Sequence, residues 1–124
     1  MQRRRFLASF AAAAAVPRLS WADAGSPAYL AAAQLASGSH ELHGLSIAGE
    51  SLFRLPLPAR GHAATAHPTL PHAVAFARRP GRFALVIDCA RGMELARLAP
   101  PEGRQFNGHG AFSADGTVLY TSEQ

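Results

Sequence analysis

A seven-residue pattern that recurs at a spacing of 43 residues limits the possible fold more than any other feature. Gly49–Leu55 and Gly92–Leu98 share the letters G-x-x-L-x-R-L. An arginine and then a Gly-His pair follow each copy, at Gly61-His62 and at Gly108-His109. A self-similarity of about 40–45 residues made of short strands is the period of one β-propeller blade. Chance recurrence in an Ala-, Leu- and Arg-rich chain is the alternative, and the shared downstream order weakens it.

Short strand candidates separated by turn residues fill the rest of the chain. Asp115-Gly116 is a strong tight-turn signal, and only Tyr29–Ala36 is ambiguous between helix and strand. The sequence therefore predicts an all-β fold over residues 29–124, a partial β-propeller of about two blades of four-stranded antiparallel sheet. The predicted strands are Leu42–Ala48, Leu52–Leu57, Ala73–Ala77, Phe83–Asp88, Met93–Leu98, Gly110–Ser113 and Val118–Ser122.

The number of blades sets a second expectation. Propellers close with about four to eight blades, whereas this chain has residues for little more than two. We therefore expect the N-terminal part of a longer propeller, or a truncated product. By itself such a piece exposes unpaired strand edges, which favour aggregation.

The N-terminus has the features of an export signal. An R-R-x-F-L core of the twin-arginine type is formed by Arg3, Arg4, Phe6 and Leu7. The apolar stretch Phe6–Val16 that follows is typical of a signal peptide and too short to span a bilayer. An ordinary secretory signal with three arginines is the alternative. Because such a signal is an address and not an anchor, we expect a periplasmic protein without a stable membrane anchor, with the twin-arginine translocase as its export partner.

The signal also sets the predicted boundaries of the chain. Ser20-Trp21-Ala22 places small residues where a signal peptidase accepts them, and Ala24 ends a second acceptable site. The predicted divisions are therefore a signal peptide over residues 1–22, a flexible lead-in over 23–28 and propeller blades over 29–124.

Charge and cysteine content exclude several classes of function. Four of the twelve arginines lie in the first twenty residues, and the remaining eight are balanced by eight acids. A nucleic-acid-binding role therefore lacks electrostatic support. Cys89 is the only cysteine, so the chain can form neither an internal disulfide nor a cysteine-based zinc site. We expect Cys89 to be a small apolar residue beside a strand.

The six histidines are the candidate metal ligands. His62, His67 and His72 follow one another at five-residue intervals, and His109 occupies the repeat position of His62. Imidazole suits copper and iron, and two histidines at the start of inner strands would both face the propeller axis. Structural hydrogen bonds to neighbouring turns are the first interpretation of these side chains. A metal site at His62 and His109, with copper or iron as the candidate cofactor, is the alternative.

The remaining polar residues have simpler interpretations. Arg78-Arg79 either binds an anion beside the following turn or protects a sheet edge. Asp88 and Asp115 are expected to organise turns through side-chain-to-backbone hydrogen bonds. His40 and His43 are expected to face solvent from a polar loop. No Ser-His-Asp set, carboxylate pair or phosphate loop has a convincing sequence context, so no hydrolase is predicted.

From Arg60 onwards the chain resembles a family of uncharacterised, twin-arginine-exported periplasmic proteins with a predicted propeller fold. Asn107 departs from this family, which tends to have an aromatic residue before Gly-His-Gly. The matching segments are Arg60-Gly61-His62, His67-Pro68, Phe76–Gly81, Phe83–Asp88 and Gly108–Ser113.

This resemblance implies a functional setting but no mechanism. Genes of the family often lie beside imelysin-like iron-uptake proteins, which implies partners in periplasmic iron acquisition. The first hypothesis is therefore a non-catalytic binding or scaffold protein linked to iron acquisition. The second is a metal- or cofactor-dependent periplasmic oxidoreductase with His62 and His109 among its ligands.

Overall fold

The computed structural model describes residues 18–124. Four residues of the predicted export signal, Arg3, Arg4, Phe6 and Leu7, therefore lie outside the described residues. Within the described range, no helix has the length and apolarity needed to cross a membrane.

Nine antiparallel strands make up the described part of the chain. They form three sheets in sequence order: β1-β2-β3, β4-β5-β6-β7 and β8-β9. The prediction of an all-β, partial propeller is confirmed, although only the middle sheet has four strands. The ambiguous segment after residue 28 is a strand. The strands are β1 Tyr29–Gln34, β2 His40–Leu45, β3 Ser51–Leu57, β4 Gly61–Ala66, β5 His72–Ala77, β6 Ala84–Asp88, β7 Met93–Leu98, β8 Phe106–Phe112 and β9 Leu119–Glu123.

The first strands of the three sheets lie side by side. β4 contacts β1 on one side and β8 on the other, while each sheet continues outwards from its first strand in sequence order. This is the arrangement of neighbouring propeller blades, in which the innermost strands surround the axis. The Gly-His pairs lie on β4 and β8, so they occupy inner strands as the repeat predicts.

The core consists of two layers that lie on opposite faces of the middle sheet. Alternate residues of a strand point to opposite faces, and β5 uses this property with residues of different size. Ala73 and Ala75 pack towards the first sheet, against Leu42. Val74 and Phe76 pack towards the third sheet. The sequence His-Ala-Val-Ala-Phe-Ala therefore makes β5 the centre of a sheet that is covered on both faces.

The repeated glycines are turn residues. Gly49 and Gly92 have φ angles of 84° and 69°, a backbone region that residues with a side chain rarely adopt. Gly49 precedes β3, and Gly92 precedes β7, so each copy of the repeat marks the outermost hairpin of its blade. The repeat thus records a shared backbone conformation.

A short segment before β1 packs against the core. Trp21–Ala24 forms a 3₁₀ helix. The Trp21 indole N–H donates a hydrogen bond to the His67 carbonyl oxygen over 2.7 Å, and Ala24 is buried in the first core layer. Both candidate cleavage positions, Ala22 and Ala24, lie within this helix, and the predicted division at residues 22 and 23 stays a prediction.

Two aspartates organise turns as the sequence predicts. Asp88 is 1% exposed, and its carboxylate accepts hydrogen bonds from the backbone of Ala90 and from the backbone and side chain of Arg91. Burial acts to raise the Asp88 pKa, but these hydrogen bonds and the Arg91 charge outweigh it, so the pKa lies below 3.8. Asp115 accepts hydrogen bonds from Thr117 and Ser113, which lower its pKa to about 2.

We expect the free energy of unfolding to fall as the pH is lowered from about 4 to about 2. A carboxyl group with a depressed pKa in the folded state stabilises the fold above its unfolded pKa, and that stability is lost as the pH falls through the folded pKa. For Asp115 the interval runs from 3.8 to about 2. Denaturant titrations of the protein and of Asp115→Asn measure this. The difference between the free energies of unfolding of the two proteins should be constant above about pH 5 and should shrink below pH 4. A difference that stays constant down to pH 2 would contradict the assignment.

Candidate functional site: a histidine pair between two inner strands

Two histidine rings from neighbouring blades meet on the inner strands. The Nε2 atoms of His62 on β4 and His109 on β8 lie 3.1 Å apart. Their ring centroids are 4.8 Å apart and the rings are nearly perpendicular, at 82°. At this distance one Nε2 carries a proton and donates a hydrogen bond to the other. The structure thus brings together the two residues that the repeat relates, and both side chains are exposed.

Two glycines explain why this histidine pair forms. Gly108 has a φ of 91° and lies against the His62 ring, so that a Cβ at this position would be 2.6 Å from His62 Cδ2. A Cβ at Gly110 would be 2.5 Å from Phe76 Cζ and 2.6 Å from the Tyr120 carbonyl oxygen. Gly-His-Gly therefore lets β8 approach β4 and β5 closely enough for the two rings to meet.

The histidine pair fits two adjacent ligand positions of a transition metal. Metal–imidazole bonds are about 2.0–2.1 Å long, so an ion bound to nitrogens 3.1 Å apart has an N–metal–N angle of about 98°. This angle lies between those of square-planar and tetrahedral coordination. Within residues 18–124 no cluster of three or more His, Cys, Asp or Glu side chains is placed to hold a metal. The described chain therefore supplies two ligands, and further ligands must come from elsewhere.

Two cavities flank His62, and arginines line both. One cavity, of about 250 Å³, includes Arg60, His62 and Arg78 in its lining. The other, of about 360 Å³, is lined by His62, Ala77, Arg78, Arg79 and Asn107. No acidic residue lines either cavity in the described part of the chain. The surroundings of His62 are thus strongly positive.

His67 has the structural role that the sequence left open for the histidines. Its Nδ1 accepts hydrogen bonds from the backbone N–H groups of Thr69 and Leu70. Nδ1 therefore carries no proton, and Nε2 donates to the Gly116 carbonyl oxygen over 3.1 Å. Both ring nitrogens are engaged, so His67 ties the β4–β5 loop to the β8–β9 hairpin and is not a free metal ligand.

The prediction for His40 and His43 is wrong, because both lie in strand β2 and are half-buried. The His43 side chain is 17% exposed, and its Nε2 lies 3.0 Å from Glu41 Oε2. Its Nδ1 lies 3.0 Å from Ser51 Oγ. Sequence reasoning missed this group because it depends on the pairing of β2 with β3. In serine hydrolases the histidine Nε2 faces the serine and Nδ1 faces the acid. In this group Nδ1 faces Ser51 and Nε2 faces Glu41, so the ring has the opposite orientation. The arrangement fits a polar contact between neighbouring strands.

Cys89 is buried, as the sequence predicts. It belongs to the first core layer, beside Leu85 and Ile87. Burial, together with the negative charge of Asp88, raises the pKa of the Cys89 thiol to about 12. Because the thiolate is the reactive and metal-binding form, this side chain is an inert part of the core.

Comparison with known families places the chain in an uncharacterised family. Residues 55–124 match the model of a family described as a protein of unknown function, DUF1513. The chain belongs to this family. The DUF1513 match contains both histidines of the pair and all three arginines of the flanking cavities. No curated protein and no solved structure matches the chain.

Proposed function

We propose that the protein is a periplasmic β-propeller component that binds copper or iron through His62 and His109 and serves iron acquisition. The observation that carries this proposal is the 3.1 Å separation of the two Nε2 atoms, which suits two positions on one metal ion. The R-R-x-F-L leader supports export, and folded export suits a protein that acquires a metal before it crosses the membrane. The link to iron rests on the family resemblance.

The chemistry of the site narrows the choice of metal. Divalent metals bind nitrogen sites with increasing affinity along the series from manganese to copper, so copper should occupy a two-imidazole site most readily. The pair offers no carboxylate or carbonyl oxygen of the kind that magnesium and calcium require. Binding is therefore expected to be selective for copper and for iron over the hard divalent cations.

Metal analysis tests the proposal directly. We expect protein purified from the periplasmic fraction to bind Cu(II) at one equivalent, with an electron paramagnetic resonance spectrum that shows coupling to two imidazole nitrogens. His62→Ala and His109→Ala should each remove one coupled nitrogen and weaken binding at least about tenfold, equal to about 1.4 kcal/mol. His72→Ala is the matched control, because His72 is a half-buried histidine outside the pair and should keep the wild-type spectrum.

Two results would overturn the assignment. A Cu(II) spectrum that is the same in the two alanine variants would place the metal elsewhere. Absence of bound metal after incubation with Cu(II) and Fe(II) would remove the metal-binding function altogether.

An oxidoreductase is the second candidate, and the all-imidazole ligand pair favours it because copper and iron cycle between oxidation states in such sites. It adds one requirement to metal binding: the bound metal must accept and return an electron while it stays bound. Reduction of bound Cu(II) by ascorbate and reoxidation by oxygen, with no loss of metal, would support this candidate. Release of the metal on reduction would contradict an oxidoreductase and leave metal binding as the only role.

A further inference from the structure

The two cavities beside His62 are both positively charged. Both are lined by His62 and Arg78, while Arg60 lines the smaller cavity and Arg79 the larger. None of these three arginines forms an ion pair among residues 18–124, although ion pairs are present at four other places in that range. Like charges that are held close together repel one another, and an anion between them removes the repulsion.

The chain holds these arginines in place. The Arg78 backbone N–H donates to the Arg60 carbonyl oxygen over 2.8 Å, which fixes the two residues side by side at the ends of neighbouring strands. The Arg79 guanidinium donates to Asn107 Oδ1. The Asn107 amide in turn donates to Ser122 Oγ over 2.9 Å. Asn107 therefore connects Arg79 to the third sheet.

Edge protection does not account for Arg78 and Arg79. These residues follow β5, which is paired with β4 on one side and with β6 on the other. A strand with partners on both sides has no free edge to protect. Of the two sequence interpretations, anion binding is the one that agrees with the sheet topology.

We propose that the cavities flanking His62 bind small oxyanions with two or more negative charges, held by Arg60 and Arg78 in the smaller cavity and by Arg78 and Arg79 in the larger. Guanidinium groups bind carboxylate and phosphate oxygens in pairs of parallel hydrogen bonds, so several arginines suit a ligand with several anionic groups. Ligand pockets commonly enclose about 300–1,000 Å³, and volumes of about 250 and 360 Å³ suit a compact anion.

The anion also completes the metal site, and this part of the inference rests on the proposed function. His62 and His109 supply two ligands, and an oxyanion bound beside His62 places oxygen atoms next to the same metal. The three arginines weaken the binding of a bare cation at the histidine pair, and a bound multivalent anion offsets this repulsion, so the affinity for metal should be higher when the anion is present. The site is therefore suited to an anionic metal complex.

Binding to metal-free protein tests the anion site independently of any metal. Metal is removed with a chelating resin, since a soluble polycarboxylate chelator would itself compete. Citrate, phosphate and chloride are then titrated at constant ionic strength, with calorimetry and the midpoint of thermal unfolding as readouts. We expect citrate or phosphate to bind with a sub-millimolar Kd and chloride not to bind. The one that binds more tightly identifies the ligand as a carboxylate or a phosphate.

Arginine variants locate the site. Arg78→Gln and Arg79→Gln should each weaken anion binding at least about tenfold, and Arg78→Lys should weaken it less because lysine keeps the charge but loses the planar fork. Arg54→Gln is the matched control, because Arg54 is an exposed arginine on β3 that lines neither cavity. Equal binding by wild type and Arg78→Gln, or stabilisation by citrate and phosphate no greater than by chloride, would overturn the proposal. Metal binding that fails while the anion binds would overturn only the proposed function.

Discussion

Replacing Gly108 by alanine is expected to weaken metal binding at the His62–His109 pair strongly while leaving most of the fold intact. The new Cβ would lie 2.6 Å from His62 Cδ2 and 3.1 Å from His62 Cγ, so the imidazole must leave its position against β8. Loss of the 3.1 Å Nε2–Nε2 geometry removes one of the two ligands. Cu(II) titration should show a fall in affinity of at least about tenfold, with one imidazole nitrogen in place of two in the resonance spectrum.

Gly103→Ala is the control for this experiment. Gly103 has a φ of 76°, and a Cβ there would meet nothing within 4 Å. The Gly103→Ala variant therefore carries the backbone strain of an alanine at positive φ, about 1 kcal/mol, without displacing a histidine. Gly103→Ala should bind metal as the wild type does. If Gly108→Ala also binds like the wild type, the position of the His62 ring does not determine metal binding.

The second large effect is expected at His67, where replacement by alanine should lower the free energy of unfolding by about 3 kcal/mol. The variant loses the hydrogen bonds to the backbone of Thr69, Leu70 and Gly116. It also loses the edge-to-face contact with Phe112, at a centroid distance of 5.1 Å. Chemical denaturation followed by far-ultraviolet circular dichroism is a suitable measurement, since the described part of the chain is mostly β-sheet and the signal does not depend on Trp21.

A double-mutant cycle with Gly116 tests whether this contact is the cause. A Cβ at Gly116 would collide with the His67 ring, and Gly116 has a φ of 76°. Gly116→Ala should therefore be strongly destabilising by itself and much less so when His67 is already alanine. Residues in contact commonly show such coupling. Additive effects of the two substitutions would show that the His67–Gly116 contact does not stabilise the third sheet.

Much of the fold is predictable from local signals. The 43-residue repeat predicted the outer hairpins because Gly49 and Gly92 must adopt positive φ at equivalent turns. Pro80-Gly81 predicted the end of β5 at Ala77, and Asp115-Gly116 predicted the β8–β9 turn. The first inner strand was ambiguous because Tyr29–Gln34 has the composition Tyr-Leu-Ala-Ala-Ala-Gln, which lacks β-branched residues. Only its pairing with β2 makes it a strand.

The candidate site is likewise predictable only in part from the sequence. The repeat by itself pairs His62 with His109, since equivalent positions on neighbouring blades approach the same axis. Sequence order could not distinguish a partner-bound His67 from an exposed His62, because the two lie only five positions apart in one alanine-rich segment. That distinction depends on the Gly116 carbonyl, 49 positions away along the chain.

By itself the sequence determined the all-β class, the turn glycines and the inner position of the two Gly-His pairs, because each of these follows from local backbone preference or from a short pattern. Only the tertiary structure decided which histidines are free, where Arg78 and Arg79 face one cavity, and that β5 has no edge to protect. Those properties arise from contacts between blades, and contacts between segments distant in sequence leave no local pattern to read. The 3.1 Å separation of the His62 and His109 Nε2 atoms depends on the sequence and on the tertiary structure. The repeat predicted which two residues are partners, and the packing of β8 on β4 fixed the distance between them.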